Sequence, residues 1–296
     1  GAVLMGKATS FSFSRIVVVE SLEPHEVRTG HITAEYVRSL DGVGDLLVET
    51  KRCESAKEFQ ALLKSLTLES RTTASIPLLH VECHGDKHEG LEFENGSLLT
   101  WSDLSAALVE LNRATGLNLL AVFSACYGAY FLSRLSSVEP TPCYAMFAPT
   151  EEIDPAEILQ TFRDFYRVLF ESGDAGAAVG GALHGKDSSG QWLAQRADRW
   201  YERVVIGYVE NHCTKSEVRQ RARRMYEMLR AEGVQTTVGN IKRGLIQRNR
   251  ADLLGKFFAR YFMTDELPKN DRRFEETRLR MEARLLQLQR TGRYGI

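Results

Sequence analysis

Residues 76–85 read Ile-Pro-Leu-Leu-His-Val-Glu-Cys-His-Gly, and residues 118–128 read Asn-Leu-Leu-Ala-Val-Phe-Ser-Ala-Cys-Tyr-Gly. Each is a short apolar run that ends in polar residues and a glycine, which is typical of a buried strand followed by a turn. A segment with the pattern of an amphipathic helix lies between the two runs. This arrangement predicts two strands of a parallel sheet joined by a helical crossover.

The same alternation extends outward from these two strands. The additional predicted strands are Arg15–Ser21, Asp45–Lys51 and Cys143–Ala148. Helices are expected to begin at the capping sequences Ser55-Ala-Lys-Glu58, Thr100-Trp-Ser-Asp103 and Asp154-Pro155. Leu91–Leu99 is predicted to form a hairpin around Asn95-Gly96. These elements predict an α/β fold with a mostly parallel sheet flanked by helices.

The pattern changes beyond about residue 190. The predicted elements there are helices, at Trp192–Val209, Lys215–Glu232, Val238–Tyr261 and Asp271–Arg290. We therefore predict an α/β domain over residues 14–190 and an all-helical C-terminal unit over residues 191–296.

Composition limits the classes of protein to which the chain can belong. Of its 296 residues, 43% are hydrophobic and 26% are charged, as in globular proteins. No apolar stretch approaches the ~18 residues of a membrane helix, so no membrane partner is expected. The first five residues lack the flanks of a signal peptide. The cysteines are five, an odd number, which favours free thiols in a reducing cytoplasm.

Charge is distributed unevenly along the chain. Residues 196–296 contain 23 Lys and Arg against 13 Asp and Glu, whereas residues 1–195 contain 15 against 26. The two halves could dock on each other through this opposite charge or be solvated separately. Alternatively, the C-terminal half binds an acidic partner.

His84 and Cys126 follow two successive predicted strands. Ligands of open parallel sheets bind beyond the carboxyl ends of the strands, so the two side chains are expected to face one cleft. A thiol must lose its proton to attack a carbonyl carbon, and a neighbouring imidazole can accept that proton. A helix beginning after Cys126 would favour the thiolate. The N–H groups of Gly85 and Cys126 could bind the developing oxyanion.

A strand that ends in His-Gly, followed by a strand that ends in Ser-Ala-Cys-x-x-Gly, resembles the caspase-like cysteine peptidases of clan CD. The chain is most similar to their prokaryotic CHAT group, over roughly residues 14–190. The resemblance implies that His84 is the general base and acid and that Cys126 is the nucleophile. It also implies an oxyanion hole of Gly85 and Cys126, a thioester intermediate, a protein substrate and no cofactor. Regulated proteolysis in prokaryotic immunity or cell death is the implied role.

Substrate preference depends on the residues that line the pocket beside the nucleophile. In this clan the residue two before the nucleophile lines the pocket for the side chain that precedes the cleaved bond. Here it is Ser124, neither the Gln of caspases nor the Asp of metacaspases, so a preference for Asp is not implied. Glu151, Glu152 and Asp154 could line a pocket for Arg or Lys. They could equally be carboxylates at the start of a helix, where the helix dipole favours them.

Other reactive residues have simpler interpretations. Cys83 and Cys143 are expected to be small buried residues, and His80 a core histidine with its hydrogen bonds satisfied. Zinc binding by His80, Cys83, His84 and His88 is disfavoured, because the alternation of side chains along a strand points Cys83 away from the two strand histidines.

Two alternatives to a peptidase remain. The chain could be a catalytically silent caspase-like module for binding or signalling, or a basic helical adaptor whose α/β half only packs. The arginines of residues 219–224 are typical of a solvated helix face, and a nucleic-acid partner is disfavoured. A regulatory protein could dock on the helical unit.

Overall fold

The computed structural model describes residues 2–4, 11–130, 139–186 and 190–296. The chain divides into two compact units, one of residues 1–135 and 141–197 and the other of residues 136–140 and 198–296. The strands are β1 (Ala2–Leu4), β2 (Phe11–Phe13), β3 (Arg15–Glu20), β4 (Leu47–Arg52), β5 (Pro77–Glu82), β6 (His84–Asp86), β7 (Gly90–Glu92), β8 (Leu98–Leu99), β9 (Leu120–Ser124), β10 (Ala145–Pro149) and β11 (Trp192–Arg196).

Helices accompany these strands and then form the second unit. Those before β11 are α1 (Thr29–Arg38), α2 (Ala56–Thr73), α3 (Trp101–Ala114), α4 (Pro155–Ser172) and α5 (Ala175–Ala182). Those after it are α6 (Ala197–His212), α7 (Lys215–Ala231), α8 (Val238–Ala251), a π-helical segment at Asp252–Lys256, α9 (Phe257–Tyr261), α10 (Lys269–Arg273) and α11 (Glu275–Arg290).

The main sheet has six strands in the order β11-β10-β9-β5-β3-β4. Neighbours from β10 to β4 are parallel, and β11 runs antiparallel beside β10. Every residue of β5, β9 and β10 is buried, as expected of mostly apolar strands covered on both faces. The predicted α/β fold with a mostly parallel sheet and flanking helices is confirmed.

Helices cover the sheet in two pairs, with α1 against α4 and α2 against α3. The right-handed crossover rule expects α1 and α3 on opposite faces, because the chain moves in one direction from β3 to β4 and in the other from β5 to β9. The predicted helix starts are confirmed: Ser55 Oγ accepts the Glu58 N–H at 3.1 Å, and Thr100 Oγ1 accepts the Asp103 N–H at 3.1 Å. Helix α1 was not predicted.

A small antiparallel sheet of β6, β7 and β8 follows β5. The predicted turn at Asn95-Gly96 connects β7 to β8, and Gly96 has a φ of 81°, which glycine adopts without strain. Strand β6 was not predicted, and it begins at His84. Its pairing with β7 therefore fixes the backbone at one of the two candidate catalytic residues.

The predicted helix over Trp192–Val209 is wrong for its first five residues. Trp192–Arg196 forms β11, paired with β10 from Trp192↔Pro149 to Arg196↔Ala145, and α6 begins directly after it. The run is short and lacks clear alternation, so its conformation depends on the exposed edge of β10 that it pairs with. The main sheet thus extends beyond the predicted boundary at residue 190.

The helical unit has its own core, built largely from aromatic rings. Tyr201 lies within ring-contact distance of Phe258, Tyr261 and Phe262, and Phe262 stacks on Phe274 at 4.3 Å between ring centroids. The Tyr201 hydroxyl donates to the Leu253 carbonyl at 2.6 Å. Across the described ranges, no helix is long and apolar enough to cross a membrane.

Candidate active site

A cavity of about 320 Å³ lies at the carboxyl ends of the central strands. The loop after β3 contributes Glu26 to its lining, and the end of β5 and the start of β6 contribute Glu82 and His84. The end of β9 and the turn after it contribute Ser124 and Cys126. The cavity adjoins the point where the strand order reverses between β3 and β5, which is where open α/β sheets bind ligands. His84 and Cys126 therefore line one cavity, as the order of the strands predicted.

The backbones of the two strand ends approach each other closely. A Cβ atom on Gly85 would overlap the carbonyl oxygen of Cys126. Any residue with a side chain at position 85 would have to move the backbone at Cys126 or at β6. Glycine at this position thus permits the separation at which His84 and Cys126 share a cavity.

Cys126 lies in a tight turn directly after β9. The Gly128 N–H donates to the Ala125 carbonyl at 2.9 Å, and Tyr127 has a φ of 58°, an uncommon left-handed conformation for a residue with a side chain. A Cβ on Gly128 would lie 2.8 Å from Cβ of Phe123, so the turn also folds back tightly on its own strand. Strained turns of this kind often hold functional side chains clear of the sheet.

The Cys126 N–H is one of the two groups predicted to form the oxyanion hole. Within the described part of the chain, it donates to no protein acceptor. Residues 128–130 form a short 3₁₀ turn. The rest of the helix predicted to follow Cys126 lies at residues 131–138, outside the described residues.

Cys126 differs from the other four cysteines in exposure. It is half-buried, whereas Cys53, Cys83, Cys143 and Cys213 are buried. Burial raises the pKa of Cys53 to about 11 and that of Cys143 to about 12, and it raises the pKa of Cys83 and Cys213 as well. These four thiols stay protonated at neutral pH. The burial of Cys83 and Cys143 confirms the prediction that they are small buried residues.

Glu26 is a site residue that the sequence did not reveal. Its Oε1 lies 2.8 Å from Nε2 of His84, and its Oε2 accepts the Glu23 N–H at 2.6 Å. Burial acts to raise the pKa of Glu26, but the Glu23 and His84 contacts outweigh it, so this pKa lies below its ordinary value of 4.5. A carboxylate at Nε2 orients the imidazole and leaves Nδ1 as the nitrogen that can serve the thiol.

A second carboxylate lies at the base of the cavity. Glu82 is buried, and it receives hydrogen bonds from His80 Nε2 at 2.8 Å and from Thr29 Oγ1 at 2.9 Å. His80 Nδ1 lies 2.8 Å from the Tyr166 hydroxyl, so both ring nitrogens have partners. The prediction that His80 is a satisfied core histidine is confirmed.

The residues predicted for substrate binding occupy different places. Ser124 lines the cavity together with Cys126. Glu152 is exposed and does not line the cavity. Burial raises the pKa of Tyr127, which follows Cys126, and the negative charge of Glu152 raises this pKa further. Glu151 accepts a hydrogen bond from Gln191 at 2.6 Å. Asp154 caps α4 by accepting the Ala156 N–H at 2.9 Å, which confirms its interpretation as a carboxylate at the start of a helix.

Over residues 2–4, 11–130, 139–186 and 190–296, no group of three or more His, Cys, Asp or Glu side chains is arranged to hold a metal ion. His80 is engaged in the core, and His84 is paired with Glu26.

Neither a protein-family model nor a curated protein sequence matches the chain.

We predict that Cys126 is the cysteine that alkylates in the native protein. A brief exposure of the full chain to iodoacetamide at neutral pH, read by peptide mass spectrometry, should modify Cys126 and leave the four buried thiols unmodified. Cys126→Ala should abolish the modification, and the matched change Cys143→Ala should leave it intact. Faster modification of any buried cysteine would contradict the prediction.

We also predict a pH-dependent contribution of Glu26 to stability. Because its pKa is lower in the folded than in the unfolded chain, the stabilisation is present above the ordinary value of 4.5 and is lost as pH falls through the folded value. Urea unfolding should therefore show wild type more stable than Glu26→Gln near neutral pH. The difference should shrink as pH falls below 4.5. A difference that is constant with pH would contradict it.

Proposed function

We propose that this chain is a cysteine peptidase of the caspase-like clan, of the CHAT type, which cleaves protein substrates. The observation that carries the proposal is that His84 and Cys126 line the same cavity at the carboxyl ends of neighbouring parallel strands. The exposure of Cys126 also supports the proposal, because Cys126 is half-buried whereas the other four cysteines are buried.

The proposed reaction is acyl transfer to the thiol. His84 takes the proton of Cys126, and the sulfur attacks the peptide carbonyl carbon to form a tetrahedral intermediate. The N–H groups of Cys126 and Gly85 stabilise its oxyanion. His84 then donates the proton to the leaving amine, and a thioester remains on Cys126. Water that gives a proton to His84 attacks this thioester, releases the acid product and restores the thiol.

Glu26 is proposed as a positioning residue in this reaction. Its contact with Nε2 holds the ring in one orientation and favours the imidazolium that forms when His84 accepts the thiol proton. His84 itself is half exposed, with 53% of its side chain accessible, so packing alone does not fix the ring. Among the described residues, the Glu26 carboxylate is the group that holds the His84 ring.

The charge at the base of the cavity supports a preference for a cationic substrate side chain. We assign the protons so that the Tyr166 hydroxyl donates to Nδ1 of His80, while Nε2 of His80 and the Thr29 hydroxyl donate to Glu82. The high pKa of Tyr166, caused by burial and then by the charge of Glu82, is consistent with this assignment. In this assignment all three partners are neutral, and Glu82 accepts both hydrogen bonds as a carboxylate.

In the described part of the cavity wall, Glu82 has no Lys or Arg partner. Of the described residues that line the cavity, none is Lys or Arg. A lysine or arginine side chain preceding the cleaved bond would supply the missing charge in a partly desolvated site, where such pairing is stronger than in water. A volume of about 320 Å³ is at the lower end of the ~300–1,000 Å³ of typical ligand sites, which suits one long side chain.

Fluorogenic peptides that differ only in the residue before the cleaved bond test the proposal. We expect the Arg peptide to be cleaved with a kcat/KM at least ~100-fold above that of the Asp peptide, with no cleavage by Cys126→Ala. Glu82→Gln should reduce the preference for Arg over Asp at least ~10-fold. The matched change Glu171→Gln, at an exposed carboxylate in the last turn of α4 and outside the cavity lining, should leave it unchanged.

Circular dichroism and urea unfolding of Glu82→Gln establish that the variant is folded. Equal cleavage of the Arg and Asp peptides would refute the substrate preference and leave the peptidase standing. Absence of cleavage of any peptide in a broad library, by protein whose Cys126 still alkylates, would refute the peptidase and favour the silent module.

A further inference from the structure

Helices α7 and α8 of the helical unit contain few buried residues. None of the residues 223–248, which include the second half of α7, the connecting turn and most of α8, is buried. The two helices pack on each other, and the buried residues of α7 are confined to Val218 and Ala222 in its first half. We name residues 219–248 the helical arm. Its exposure cannot be explained by a role in the core.

The helical arm is strongly basic. Its residues, 219–248, contain eight Lys and Arg against two Glu. In the described part of the chain, Arg219, Arg223, Arg224 and Arg230 have no carboxylate within ion-pair distance. By contrast, Arg280 on α11 pairs with Asp198, Glu202 and Glu276. The charge of the arm is thus left for something other than internal ion pairs.

Apolar side chains are exposed among these arginines. Met225, Met228 and Val234 are 39%, 65% and 46% accessible. Met225 and Met228 lie three positions apart on α7 and so share a face of the helix, bordered by Arg221 and Arg224 four positions before each. Exposed methionines adapt to the shape of a bound apolar surface, and large exposed apolar groups mark interaction sites.

We propose that the helical arm binds an acidic amphipathic helix of a protein partner. The acidic side chains of that helix would pair with Arg223, Arg224 and Arg230, and its apolar face would cover Met225 and Met228. A nucleic acid would use the charge of the arm but would gain little from its methionines and Val234. The combination of charge and exposed apolar side chains favours the protein. The binding does not depend on Cys126 or on the proposed peptidase.

Fluorescence anisotropy with labelled probes and the full chain tests this inference. The first probe is a synthetic helix of about 18 residues, with Leu at positions i, i+3, i+4 and i+7 and Glu at most others. The second has the same composition in scrambled order, and the third is a DNA duplex of about 20 base pairs. We expect the amphipathic peptide to bind at least fivefold more tightly than the scrambled peptide.

Variants identify the surface. Met225→Ser with Met228→Ser, and separately Arg223→Gln with Arg224→Gln, should each weaken binding of the amphipathic peptide at least fivefold. Leu68→Ser with Lys57→Gln is the matched control on α2, since Leu68 is 62% accessible, and it should leave binding unchanged. Raising the salt concentration should weaken binding only in part, because salt screens the charges but not the apolar contact.

Several outcomes would overturn the inference. Equal binding of the scrambled and amphipathic peptides would show that charge alone is recognised. Tighter binding of the DNA duplex, unaffected by the two Met→Ser changes, would assign the arm to a nucleic acid. Absence of binding by the amphipathic peptide at low salt, or loss of binding in the α2 control, would exclude the arm as the docking surface.

Discussion

The absence of a side chain at Gly85 is the constraint on which the candidate site depends. Strands β5 and β9 are neighbours in the sheet, so their carboxyl ends are adjacent. The segments that follow the two strands would still be kept apart if each placed a side chain between them. Because Gly85 has none, the carbonyl of Cys126 packs directly against it. His84 precedes this contact and Cys126 is part of it, which is why both line one cavity.

Buried polar contacts connect this point to the rest of the α/β unit. Tyr166 on α4, His80 and Glu82 on β5, and Thr29 at the start of α1 form one hydrogen-bonded chain. A carboxylate held this deep by neutral groups costs free energy unless its hydrogen bonds are complete. The network supplies Glu82 with two hydrogen-bond partners at the base of the cavity, and it links the cavity wall to helices on the same face of the sheet.

Much of the fold could be predicted from the sequence because the central strands are mostly apolar and the helices after β4, β8 and β10 begin at clear capping residues. The placement of His84 and Cys126 followed from the order of two consecutive strands. Glu26 was not predictable in the same way. It lies in an irregular loop after β3, and nothing in the order of the strands reveals that β3 is inserted between β4 and β5. The strand at Trp192–Arg196 was missed because its pairing with β10, rather than its own pattern, determines its conformation.

The central claim is that the imidazole of His84 acts on the thiol of Cys126. It is tested most directly by the alkylation rate of Cys126 near pH ~6, where an unassisted thiol is almost fully protonated. The account predicts that His84→Ala, confirmed as folded by circular dichroism, slows this alkylation at least ~10-fold relative to wild type. Equal rates in the two proteins would contradict it.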